Sequence, residues 1–272
     1  MTPVDPAASA LSFDQLYLNG QAVAYCAEGT HTAEPDDHVL LAHASDLNAR
    51  APWAAAGYAM VPSLPGSVRE ALQAGLAELL REAPWAAGRA VGPGLDVVYH
   101  HCAVSEDLAC HLVIIAHTKA YSLARLPVAL ARLEALVGNA CDQPVRAHNP
   151  NVDEAVFYLR VVRSSHADYN PLPRDAWLPR YHGALNTYLP VAGSAARSSL
   201  TLVSSSHHWS ESAVARTAGG AFYRGVPYTV PGVRRLVRWP NTIRPDPGPG
   251  EVLVFLFFLL HGAAANLNED TA

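Results

Sequence analysis

The run Gly250-Glu251-Val252-Leu253-Val254-Phe255-Leu256-Phe257-Phe258-Leu259-Leu260-His261-Gly262 is strongly β-prone and almost wholly apolar. A Pro/Gly-rich turn from Pro245 to Gly250 launches it, and its far end delivers one histidine just before a glycine. The pattern predicts a buried strand over Val252 to Leu260 that aims the His261 imidazole into the interior, with Asn266, Asn268 and Asp270 following. A histidine that closes an apolar strand is, taken singly, more often a hydrogen-bonded structural residue than a ligand. Its meaning therefore depends on what the rest of the chain brings to it.

The chain has 272 residues, half of them hydrophobic and only 16% charged, which suits one sizeable core rather than a disordered polymer. A net charge of -5 argues against a nucleic-acid groove. The basic residues are uneven, since Lys119 is the only lysine and many arginines fall between Arg160 and Arg244, a local field that suits an anionic partner. Cys26, Cys102, Cys110 and Cys141 form no Cys-x-x-Cys pair, so neither a zinc ribbon nor a disulfide framework is expected. No basic segment followed by an apolar core opens the chain, and Val252 to Leu260 is far short of the about 20 residues a membrane helix needs. The expectation is a cytoplasmic protein with no membrane or nucleic-acid partner.

Along the chain, residues 1 to about 60 are Ala-rich with scattered Pro, Asp and His, and read as a loosely structured lead-in with short elements. Asp36, Asp37, His38 and His43 resemble a metal cluster on paper but read as loop solvation. From Ser67 the pattern is helical, with Ser67 and Glu70 as a capping box, Leu72, Leu76, Leu79 and Leu80 on one face, and Pro84 as the stop. A second helix is expected from Pro127 to Val137, closed by Gly138. Between the two helices, Leu95 to Tyr99 and His111 to Ala116 read as strands. The second half reads as β, with strands at Val156 to Val162, Leu185 to Val191, Ser199 to Ser204 and Val252 to Leu260. Together these predict a single α+β domain over 1–272. Its core would be a double-stranded β-helix, or jelly roll, at 151–272, flanked by helices from the helix-rich part at 1–150.

The expected strand at Val156 to Val162 runs into Arg163-Ser164-Ser165-His166-Ala167-Asp168. His166 and Asp168 can point to one side of an extended segment. With a histidine arriving about 95 residues later, they would present two imidazoles and a carboxylate on one face of a metal. Such a facial triad leaves open positions for a cosubstrate and dioxygen on ferrous iron. His-x-Asp alone arises often by chance, and the order of the pieces is what adds weight.

That order carries a resemblance. Asn170-Pro171-Leu172-Pro173-Arg174-Asp175-Ala176-Trp177-Leu178, Asn186 to Ser194, Ser205 to Ser212, Tyr228-Thr229-Val230-Pro231 and the His261-Gly262 to Asp270-Thr271 segment together resemble the phytanoyl-CoA dioxygenase family of iron(II)/2-oxoglutarate oxygenases. The likeness covers about residues 155 to 272. It implies a jelly-roll core, a ferrous ion, 2-oxoglutarate as cosubstrate, and oxidation of a small-molecule substrate by dioxygen.

The sequence departs from the family in informative places. The family's His-x-Asp falls on Pro173-Arg174-Asp175, so the first ligand is replaced by a proline, which cannot ligate. Three alternatives stand: His166 and Asp168 have taken over beside His261; Asp175 and His261 remain, with His166 reaching in; or the site holds no iron. The family's carboxylate-binding arginine should follow the second histidine on the next strand, where its planar fork pairs with 2-oxoglutarate. No arginine follows His261 here. Either the last core strand lies beyond this sequence or another cation, Arg160 or Arg163, anchors the cosubstrate, with Asn186 and Tyr188 as further carboxylate contacts. Ser204 to His207 replaces a Pro-Gly turn, and Leu256-Phe257 replaces Ser-Pro. His207 and His208 read as outer or surface residues, Trp177 and Trp209 as pocket wall or core. Two competing readings remain: a jelly-roll pseudoenzyme or binding module, and a cupin-like metal-dependent isomerase or hydrolase.

Overall fold

The computed structural model describes residues 14–18, 21–25, 27–30, 37–42, 46–62, 64–92, 108–119, 121–150, 152–163, 172–192, 194–223, 226–236, 241–248 and 250–262. Among them the chain forms β1 (Asp14–Leu18), β2 (Gln21–Tyr25), β3 (Ala27–Glu28), β4 (Tyr58–Val61), α1 (Gly66–Ala86), α2 (Leu108–Thr118), β5 (Tyr121–Ser122), α3 (Leu130–Cys141) and β6 (Val156–Phe157). β7 (Leu185–Tyr188), β8 (Thr201–Leu202), β9 (Val214–Arg216), β10 (Ala221–Tyr223), β11 (Val226–Tyr228), β12 (Val233–Leu236), β13 (Asn241–Thr242), β14 (Val252–Leu256) and β15 (His261–Gly262) follow. The fold is mixed α+β, built of small sheets whose strand pairs are antiparallel except for β1 with β13.

β14 is the organising strand. All five of its residues are buried, because β4 pairs with one edge and β7 with the other. Side chains alternate across the sheet. Val252, Val254 and Leu256 therefore pack with Trp53, Val137 and Cys141 on one side, while Leu253 and Phe255 pack with Leu202 and Leu259 on the other. Burying each such Val, Leu or Phe contributes about 1.5–3 kcal/mol.

The apolar run is not one strand to its end. Phe257 to Leu260 form a turn, closed by Leu259 N–H donating to the Leu256 carbonyl at 3.1 Å, and only then does β15 begin. β15 pairs with β8, and Leu202 of β8 bridges on its other side to Ile243. The turn thus carries the chain from the β4–β14–β7 sheet to the β8–β15 pair, and Leu253 and Phe255 meet Leu202 and Ile243 in the layer between them.

Three α-helices are present among the described residues. α1 buries Leu72, Leu76, Leu79, Leu80 and Ala83, the spacing expected of a helical stripe. It begins after Pro65 with no side-chain cap, so the Ser67/Glu70 capping box does not form, and it continues through Pro84 to Ala86. A proline in the last turn costs little, because few carbonyls remain for it to disrupt. Gly75 lets Pro127 approach to where a Cβ would stand only 2.3 Å from it.

His111 to Ala116 is helix, not strand. Cys110, Ile114 and Thr118 are buried at intervals of four whereas Leu112 and Val113 are exposed, so the period is helical despite the β-branched composition. α3 runs past Gly138 and ends at Asp142 in the left-handed region, with φ 53°. Gly138 instead allows contact with the Gln143 carbonyl, 2.9 Å from where its Cβ would be. Leu95 to Tyr99 lie outside the described residues. The lead-in carries short strands, β1 to β3, and the last of its elements, β4, supplies one edge partner of β14. Strand structure at Val156 to Val162, Leu185 to Val191 and Ser199 to Ser204 is shorter than expected, reduced to β6, β7 and β8. No helix of the described residues is long and apolar enough to cross a membrane.

Candidate functional site

Asp175 and His261 meet. The Asp175 Oδ2 lies 3.3 Å from His261 Nε2, with the imidazole nearly buried and the carboxylate partly exposed. Two backbone bonds hold their segments together: His261 N–H donates to the Pro173 carbonyl at 3.0 Å, and Ala176 N–H to the Phe257 carbonyl at 3.1 Å. Pro173 thus serves through its carbonyl.

The histidine is oriented from behind. Its Nδ1 lies 2.9 Å from the Leu259 carbonyl, which can only accept, so Nδ1 carries a proton and Nε2 faces Asp175. The ring packs edge-on to Phe255 with centroids 4.9 Å apart. On β7, Asn186 donates its amide to Asp175 Oδ2 at 2.9 Å. Burial pulls the His261 pKa down, but the Asp175 charge and hydrogen bond and the Leu259 carbonyl outweigh it and set the pKa above its ordinary value. Burial likewise pushes the Asp175 carboxyl up, and His261, Asn186 and the more distant Arg160 charge together hold it below its ordinary value. Each group thus favours the charged form of the other.

The residue before Asp175 faces the opposite way. Arg174 is 1% exposed, and its guanidinium donates to Glu211 Oε1 at 2.7 Å and to the Ser206 carbonyl. Glu211 Oε2 accepts from Trp177 Nε1 at 3.0 Å and from Arg216 Nε at 3.2 Å, and the Arg216 guanidinium lies 4.9 Å from the Trp177 ring centroid. Ser206 Oγ accepts from Leu260 N–H at 2.8 Å. One buried network therefore ties the Asp175 segment, the Ser206–Glu211 segment and the turn before His261 into a unit.

The other expected site residues fall in several places. Arg160 is exposed, yet its charge reaches both Asp175 and His261. Arg163 is buried. Tyr188 makes a 2.8 Å hydrogen bond with Ser194. His166 and Asp168 lie outside the described residues, as do Asp36, His43, Asn266, Asn268 and Asp270. Asp37 and His38 are exposed.

His207 is a core residue rather than a surface one: it is 1% exposed, its Nε2 donates to the Ala54 carbonyl at 2.9 Å, and burial with the neighbouring His208 pulls its pKa down to about 4. Trp177 belongs to the core and Trp209 packs partly buried against it. Sequence reasoning missed Arg174, Glu211 and Tyr181. Tyr181 packs on Phe257 at 4.6 Å, and burial together with the Asp175 charge pushes its phenol up to about 12.

As a metal centre, the donor set is partial. His261 Nε2 and Asp175 offer the nitrogen and oxygen donors of a His/carboxylate site, and the Leu259 bond to Nδ1 is the outer support such a histidine requires. Among the described residues no group of three or more His, Cys, Asp or Glu forms a metal cluster. Compared with known proteins, no family model matches the chain, and neither does any curated protein or solved structure.

Proposed function

We propose that the chain is an iron(II)/2-oxoglutarate-dependent oxygenase of the phytanoyl-CoA dioxygenase type, acting on a small molecule, with His261 and Asp175 as two of its metal ligands. The observation that supports this most is the 3.3 Å approach of these two residues, brought from distant parts of the chain to the layer between two sheets. In this reading β4–β14–β7 and β8–β15 are facing portions of a jelly roll, and His166 would be the third ligand. Ferrous iron bound there, with 2-oxoglutarate and dioxygen, would supply the oxidation of a substrate C–H bond.

The chain's own residues prepare the position. The Leu259 carbonyl holds the Nδ1 proton, so that Nε2 is the nitrogen that exchanges its proton for a metal. Asn186 fixes the Asp175 carboxylate, and the Arg174 network fixes the backbone beneath it. Anaerobic titration with Fe(II) and 2-oxoglutarate tests the reading. A visible charge-transfer band is expected in the native chain and not in His261→Ala or Asp175→Ala. A folded native chain that shows no band overturns it.

A second reading has its own support. His261 already has a partner at each nitrogen, and Pro173 stands at a ligand position. A closed ion pair of this kind suits a jelly-roll binding module that holds no metal. It predicts purified protein that takes up no iron, even when loaded anaerobically.

A further inference from the structure

α2 carries apolar side chains on both of its sides. Cys110, Ile114 and Thr118 are buried on the inner side, where Cys110 and Ile114 pack with Leu80 and Ala83 of α1. The outer side holds Ala109, Leu112, Val113 and Ala116, all exposed, with Leu112 58% and Val113 40% open to solvent. At about 100° per residue these four fall in one stripe opposite the buried one. A lone exposed leucine means little. Here, however, the 11 residues Leu108–Thr118 include no Asp, Glu, Lys or Arg, so the outer side lacks the charges that normally cover a surface helix.

The stripe reads the same in both directions. Ala109-x-x-Leu112-Val113-x-x-Ala116 is symmetric in residue size about the point between Leu112 and Val113. With two helices antiparallel, a two-fold axis through that point would set each Leu112 against the other copy's Val113 and each Ala109 against the other copy's Ala116. An isologous interface demands such self-complementarity, because the same patch must meet itself. The small alanines at either end let two helix axes approach to about 8–10 Å. The flanking charges obey the same symmetry: Glu106 and Asp107 precede Leu108 in sequence, and Lys119, which is exposed, follows Thr118. Antiparallel packing brings one copy's Lys119 to the end of the other helix that the acidic pair leads into, and it opposes the two macrodipoles. A parallel pairing would set like charges together.

We propose that a second copy of this chain covers the outer face of α2, helix against antiparallel helix, about a two-fold axis between Leu112 and Val113. A helix of this length spans about 16 Å. The contact is therefore smaller than the roughly 800 Å² per partner of a standard interface, and the dimer is weak and concentration-dependent. The proposal stands apart from the oxygenase reading, since it uses none of the same residues.

Analytical ultracentrifugation of the full chain from about 10 μM to about 1 mM tests this. Native protein should shift from monomer to dimer across that range. Leu112→Glu sets two carboxylates beside the axis and should weaken association about tenfold or more while circular dichroism stays native. Lys119→Glu should weaken it about threefold at low salt, and adding Glu106→Lys and Asp107→Lys should restore it. This charge series decides the matter if Leu112→Glu does not fold. Native protein that stays monomeric at about 1 mM overturns the proposal. A folded Leu112→Glu that associates as tightly as native, or a charge series that leaves association unchanged, overturns it as well.

Discussion

Arg174 and Asp175 are neighbours in sequence and opposites in environment. Arg174 turns into the core, where Glu211, the Ser206 carbonyl and a network reaching Trp177 and Arg216 surround it. Asp175 turns toward a partly open layer, where it meets one histidine and one amide. Arg174 is the extended residue that leads into a single 3-10 turn at Asp175–Trp177, and the change of backbone direction there sends adjacent charges to these two fates. The difference separates an ion pair that holds a structure from one that remains addressable. The sealed pair has no route for a ligand, whereas the open pair can trade a proton for something else.

That contrast can be broken most forcefully on the sealed side. Arg174→Met should leave Glu211 buried without its main partner and cost about 3–5 kcal/mol in denaturant melts. A loss below 1 kcal/mol would show that the network is not what holds the segment. Next is acid. His207 lies on the same side and is held neutral by burial, with a pKa of about 4 against an ordinary value near 6.5. Because the folded value is the lower one, its contribution is complete above about pH 6.5 and is lost as pH falls toward 4, by at most roughly 3 kcal/mol. The acid slope of native protein should flatten in His207→Gln.

On the open side the effects are smaller and of different sign. The His261 pKa is raised, so its stabilisation is present below the ordinary value near 6.5 and is lost as pH rises through the raised one. The Asp175 pKa is lowered, so its share is present above about 3.9 and is lost as pH falls through the lowered value. Metal-free Asp175→Asn should therefore cost only about 1 kcal/mol near neutrality. In the same variant the His261 titration, followed by NMR, should move to lower pH. An unmoved titration would mean that the pair is not coupled in solution. Smallest of all, Asn186→Ala should cost roughly 0.5–1 kcal/mol, the worth of one hydrogen bond, and shift the Asp175 titration upward.

How much of this was legible in the sequence depends on the range of the interaction. Leu72, Leu76, Leu79 and Leu80 announced α1, and the Val252 to Leu260 run announced the central strand, because both signals are local periodicities. Its break at Phe257 was not legible, since nothing in Phe257-Phe258-Leu259-Leu260 is a turn residue and the corner is imposed by the sheets on either side. His111 to Ala116 misled because Val113, Ile114 and Ile115 favour strands, whereas burial of Cys110, Ile114 and Thr118 set the helical period. At the site, His261 could be picked out as a histidine at the end of an apolar run. Asp175 was found only through its register beside Pro173, and Arg174 with Glu211 not at all. A charged residue looks alike in sequence whether it is solvated or buried, and only the distant partner tells them apart.

The corner at Phe257 to Leu260 also bears on how the chain acquires its shape. Asp175 and His261 can meet only after the strand pairing of β14 and the docking of β15 on β8 are both complete, and these are contacts of long sequence separation that close slowly. The resonances of the His261 ring should accordingly mature among the last in refolding, which makes one imidazole a clock for the closing of the two sheets.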